Sequence, residues 1–166
     1  MKKLLWIGAL STLLLTSCGD EEKPKFEETA DTTISDSEPV EEKKTWNESL
    51  EEIINSSDAP SDKFYSLETV MKDAEVSEDD VKSFKQEILS AYKEKRYLSN
   101  PTDDEIMLSL IFKSYIVEQN AENEWKDFAF DFHQNVKYVY RGEETPESDS
   151  VKSNEEQMDK IIKKLN

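Results

Sequence analysis

From Thr45 onward the apolar residues recur every three or four positions, the spacing that lines one face of an α-helix. A first helix carries Trp46, Leu50, Ile53 and Ile54. A second, after Pro60, carries Phe64, Leu67, Met71 and Ala74, and a third, after Ser77, carries Val81, Phe84, Ile88, Ala91 and Tyr92. A long fourth helix follows Thr102: Ile106, Leu108, Leu110, Ile111, Phe112, Tyr115 and Ile116, then Trp125, Phe128, Phe132 and Val136. A last helix, after the loop 143–150, carries Val151, Met158, Ile161, Ile162 and Leu165. The fold class expected is all-α, a small bundle of about five helices.

Start and stop signals agree with the spacing. Thr45-Trp46-Asn47-Glu48 and Thr102-Asp103-Asp104-Glu105 have the form of capping boxes, in which a hydroxyl and a carboxylate satisfy the first free backbone amides. Ser77 precedes three acids, which suit the positive end of the helix dipole. Gly142 suits a helix C-cap. No glycine lies between Asp20 and Arg141, which argues against a sheet with tight turns. Two points stay open at this level. The fourth helix either runs through or breaks near 120–123. The alternation Val136-Lys137-Tyr138-Val139-Tyr140 fits either a short strand or, as preferred here, the end of a helix. The run Ile106–Val117 is apolar nearly all round, yet too short to span a bilayer, which takes roughly 20 residues. It reads as a buried core helix.

The chain before Thr45 has a different pattern. Met1-Lys2-Lys3 is basic, 4–16 is apolar and uncharged, and Cys18 is followed by Gly19-Asp20-Glu21-Glu22. A basic start and a short apolar run fit a secretory signal peptide rather than a spanning helix. Leu15-Thr16-Ser17-Cys18 resembles the lipobox of bacterial prolipoproteins. That resemblance implies a diacylglyceryl group on the Cys18 sulfur and cleavage before it, with 1–17 removed. Several acyl chains anchor durably where one alone is marginal. From residue 18 to 44 the sequence is acidic, with Pro24 and Pro39 and few apolar residues, and reads as a flexible linker. A coil of that length spans on the order of 25–30 Å. The domains expected are therefore a leader over 1–17, a lipidated linker over 18–44 and a helical domain over 45–166.

Charge narrows the partners. The formal net charge is −17, and removing Lys2 and Lys3 with the leader makes it −19. Such a surface repels nucleic acid and anionic lipid. The chain has one cysteine, so no disulfide can form within it.

Candidate chemistry is sparse. His133 is the sole histidine, and on a helix it lies about 200° from Asp131, so the two cannot share a ligand. There is no metal-ligand spacing, no nucleophile elbow and no phosphate-binding glycine loop. No catalytic residue, metal or cofactor is expected. The aromatics are more informative. Trp125, Phe128 and Phe132 share one face, whereas Phe130 points elsewhere. Phe130, Tyr138, Tyr140 and Arg141 form the candidate interaction surface, provided they are exposed.

The segments around Trp125–Ala129, Tyr138–Gly142 and Asn154–Met158 resemble small lipoproteins carried on mobile elements of Gram-positive bacteria. Some of these act in exclusion during conjugation, which implies protein binding without catalysis. The Cys-Gly-Asp-Glu-Glu start is similar to the acidic export signal of surface lipoproteins of Bacteroidetes, which implies an outer membrane instead. The two implications differ on the address. The function expected is a membrane-anchored extracytoplasmic lipoprotein that presents a helical interaction surface to an envelope protein. A lipoprotein that binds a small ligand, or has weak enzymatic activity, in an aromatic-lined pocket is the alternative.

Overall fold

The apolar spacing and the caps define where each helix starts and stops. The computed structural model describes residues 44–165. The leader, the lipidation site at Cys18 and the linker before residue 44 lie outside the described residues. Among those described, six helices occur: α1 (Trp46–Asn55), α2 (Pro60–Asp73), α3 (Glu78–Lys93), α4 (Asp104–Asn120), α5 (Asn123–Tyr140) and α6 (Asp149–Leu165). The expected five become six because the long fourth helix is two. Ala121 and Glu122 are extended, and Asn123 turns the chain with φ +51°, a region Asn tolerates better than most residues. Residues 136–140 are helical, not a strand.

Two of the caps are as the sequence implies. Thr45 and Glu48 form a capping box at α1, and Ser77 and Asp80 form one at α3. At α4 the cap is one residue later than expected. Asp103 accepts from the Ile106 amide, while the Thr102 hydroxyl donates to Asn100 Oδ1. Gly142 occupies the position just past α5 with φ +72°. Its amide donates to Val139 O and the Glu143 amide to Tyr138 O, a Schellman closure that satisfies two terminal carbonyls. The end of α3 closes in the same way through Lys95 at φ +55°, with Lys95 N donating to Tyr92 O and Arg96 N to Ala91 O.

Helices α4 and α5 are the centre. α4 packs on α1, α2, α3 and α5, and α5 packs on α2, α3, α4 and α6. On these two helices Phe112, Phe128, Phe132, Ile111, Leu108 and Met107 are fully enclosed, each contributing about 1.5–3 kcal/mol by its burial. Trp46 stacks on Phe112 at 4.8 Å and meets Phe84 edge-on, which ties α1 to the centre. Ile106, expected in the apolar stripe, sits on the outer side of the first turn of α4 and is exposed, while Met107 takes the buried place.

The last helix is held differently. α6 buries only Val151 and Met158 completely, so its apolar seam is thin. A polar ladder supplements it. The Tyr92 hydroxyl reaches Glu155 O and Asp159, Tyr97 donates to Glu155, and Asn135 Nδ2 reaches Val151 O. Asn154 Nδ2 in turn donates to Asn135 Oδ1 at 2.7 Å. These directional bonds fix the register of α6 on α5 and hence the shape of the groove between them.

Candidate functional site: the groove between α5 and α6

The four aromatic-cluster candidates separate in space. Phe130 is 46% exposed on α5, among the most exposed large apolar side chains described. Tyr138 is half-buried, with the Lys137 ammonium over its ring at 4.6 Å. Tyr140 is buried, which removes it from any surface. It continues the Phe132–Val136 stripe one turn on, and its hydroxyl donates to Asp104 Oδ1 at 2.7 Å. Asp104 also receives the buried Lys63 ammonium at 2.7 Å, and Lys63 donates to Ile54 O. Burial raises the Asp104 carboxyl, but the hydrogen bonds from Lys63 and Tyr140 outweigh it and hold it ionised to lower pH. The network is a structural brace at the junction of α1, α2, α4 and α5. Arg141 belongs beside it: its guanidinium lies over the rings of Phe64 and Tyr65 and donates to the Tyr65 hydroxyl. Its role there is to clamp α2 to the end of α5.

Phe130 and Tyr138 border one feature. Along α5, Asp127, Asp131, Gln134 and Tyr138 follow at helical spacing and line the groove against α6. Across it stand Ile161, Lys160, Gln157, Asn154 and Val151. The wider end, walled by Phe130, has a volume of about 610 Å³, and a narrower one of about 180 Å³ continues past Asn154 to Tyr138 and Glu144. The lined stretch of α5 is about 16 Å long at 1.5 Å per residue.

Asp131 is the unusual member. It lines the wide end, is only 7% exposed, and accepts no hydrogen bond among the described residues. Burial, together with repulsion from Asp127 one turn earlier, pushes its carboxyl up to about 6. A buried carboxylate normally has donors around it. Sequence reasoning noted Asp131 only as a neighbour of His133 and missed this. Its burial depends on where α6 docks, which no local pattern announces.

His133 faces the other way, into α4, as the angular spacing requires. Its Nδ1 lies 3.2 Å from Ser114 Oγ and 3.2 Å from Ile111 O. The pair has the composition of a nucleophile and a base, but its geometry is structural. The Ser114 hydroxyl donates to Leu110 O at 2.7 Å and has no exposed surface. Burial, aided by the charge of Lys137, pulls the imidazole down to about 4, so it is neutral at physiological pH. The ring borders a cleft of about 200 Å³ with Phe64, Tyr115, Glu118 and Lys137.

Among the described residues no group of three or more His, Cys, Asp or Glu could hold a metal, and no helix is long and apolar enough to cross a membrane. Nothing among protein-family models, characterised proteins or solved structures matches the chain.

Proposed function

We propose that the chain is a lipid-anchored extracytoplasmic protein whose helical domain is an interaction module, with the α5–α6 groove as its contact surface. The observation that carries the reading is Phe130, exposed at the mouth of a groove that also holds an unpartnered buried carboxylate. Exposed aromatics beside polar rims are the residues that dominate binding energy at protein interfaces. The anchoring half of the reading rests on the Leu15-Thr16-Ser17-Cys18 motif. A blocking role at an envelope machine is what the resemblance to exclusion lipoproteins implies.

A photo-crosslinking residue at Phe130, in cells, tests the module. A discrete adduct that is absent when the crosslinker sits at Lys152, exposed on α6, supports it. Equal or no adducts at both positions count against it.

A second reading has one observation in its favour. The cleft beside His133 joins a neutral imidazole, Tyr115 and the opposite charges of Glu118 and Lys137, and it suits a small polar ligand. A His133→Phe variant that still crosslinks normally from Phe130 separates the two readings.

A further inference from the structure

Some charges that border clefts are already answered. In the groove between α3 and α4, which carries the exposed Ile106, Lys113 pairs with Glu87 at 2.6 Å, and Arg96 pairs nearby with Glu94. The brace at Asp104 is closed by Lys63 and Tyr140. The α5–α6 groove differs. Asp131 is more than nine-tenths buried, lines the groove and has no donor among the described residues. Asp127 stands one helical turn away on the same face, and Phe130 lines the same groove beside them. Facing them from α6 are Asn154, Gln157, Ile161 and Lys160, the last an exposed side chain long enough to keep its ammonium in water.

We propose that this groove recognises an arginine or lysine side chain on a basic segment of a protein partner, with Asp131 accepting its hydrogen bonds, Asp127 as second carboxylate and Phe130 as aromatic wall. The inference rests on the reading of the groove as the contact surface and names the chemistry of what enters it. Each part of the site matches a cation. Two carboxylates four residues apart can share one guanidinium, whose planar fork bonds carboxylates through paired donors. An aromatic face within about 6 Å of a cation adds attraction. The apolar portion, Phe130 and Ile161, covers the aliphatic stem. The field of the whole chain, at −17, draws a basic segment in and disfavours an acidic one. Entry of a cation also relieves the repulsion between Asp127 and Asp131, so binding weakens as Asp131 takes up its proton near pH 6.

The test uses the chain from residue 18 on, carrying Cys18→Ser, and two helical peptides of about 14 residues, long enough to fill the groove. One is built of Leu, Ala and Arg, and the other has citrulline at every Arg, which keeps the shape and removes the charge. Amide and side-chain NMR shifts locate binding, and fluorescence anisotropy gives affinity. The expected result is shifts centred on Phe130, Asp131 and Asn154 with the Arg peptide, and affinity at least about ten-fold weaker with citrulline. Asp131→Asn and Phe130→Ala should each weaken the Arg peptide about ten-fold, while Glu156→Gln, exposed elsewhere on α6, changes it less than about two-fold. Asp131→Asn must keep its thermal transition, which shows that lost binding is not lost fold. Equal binding of both peptides in the groove overturns the cation inference and leaves the contact surface standing. Equal losses for Asp131→Asn and Glu156→Gln reduce the attraction to general charge and overturn it as well. Shifts on another face, or none, overturn both the inference and the groove.

Discussion

Replacing Asp131 by Asn should stabilise the domain at neutral pH and leave it unchanged in acid. The side chains are nearly the same size, so the perturbation is the charge. Burial and Asp127 push the Asp131 carboxyl from its ordinary 3.8 up to about 6. The folded protein therefore holds this proton more tightly than the unfolded chain. Its ionisation costs stability above about pH 6, and the cost vanishes below the unfolded value. About two pH units correspond to roughly 3 kcal/mol at full weight. The carboxylate borders the water of the groove, and screening reduces the expected gain to about 1–2 kcal/mol. For a domain of this size that raises Tm by about 3–8 °C.

His133 works in the opposite sense. Its folded value, near 4, lies below the ordinary 6.5, so stability falls as pH drops through that interval. Between about pH 4 and 6 the two groups oppose each other, each with a slope of up to about 1.4 kcal/mol per pH unit. Their cancellation makes the parent protein flatter in this window than the Asp131→Asn variant. Urea unfolding followed by circular dichroism at pH 4, 5, 6 and 7.5, with parent and variant side by side, measures the difference directly. Titrating groups that do not interact with Asp131 drop out of that difference. A variant less stable than the parent at pH 7.5, or a difference that does not shrink toward pH 4, would refute the placement of Asp131 in a desolvated, donor-free site.

The remaining predictions concern the brace, the helix ends and the anchor. Asp104→Ala strands the buried Lys63 ammonium and the Tyr140 hydroxyl, and should cost about 3–5 kcal/mol in chemical denaturation, far more than removal of an exposed acid. Gly142→Ala should cost about 1 kcal/mol from backbone conformation alone, since a Cβ there meets nothing within 4 Å. Lys95→Gly relieves the same left-handed strain but gives up the Tyr92 ring at 4.5 Å, so its net change in Tm should be smaller than a gain of about 1 kcal/mol implies. Cys18→Ala should abolish labelling by a fatty-acid analogue and release the protein from membranes; persistent labelling would remove the lipobox reading.

Most of the fold was legible because it rests on local rules. The boxes at Thr45 and Ser77, the proline at the start of α2 and the glycine after α5 act within a turn of their own position. The errors fall where local signals compete. Thr102 and Asp103 can each cap α4, and Asp103 takes the role while Thr102 is held by Asn100. The break before α5, left open near 120–123 by the spacing, is made by extended Ala121 and Glu122 and by Asn123 in a left-handed conformation. Tyr140 was misjudged although the signal was present. It stands four residues beyond Val136 on the buried stripe, and a core place follows from that number.

The site obeys a different logic. Phe130 was legible as the aromatic out of phase with the stripe, and exposure follows from phase alone. Asp131 was not, because its phase relative to the α5 stripe leaves it on the flank, and a flank is solvent unless another helix covers it. The covering helix is α6, whose register is set by Asn135, Asn154, Tyr92 and Tyr97 across three other elements. The residues that hold α6 in place therefore determine how deeply Asp131 is buried, and with it the acidity and the reach of the groove. That dependence makes Asn154→Ala informative. It cuts the bond to Asn135 without touching either carboxylate. If the groove is built by α6 docking, this variant should return Asp131 toward ordinary carboxylate acidity in an NMR titration of its side-chain carbonyl and weaken the Arg peptide as well. Unchanged titration in Asn154→Ala would mean that α5 and its own neighbours alone create the site.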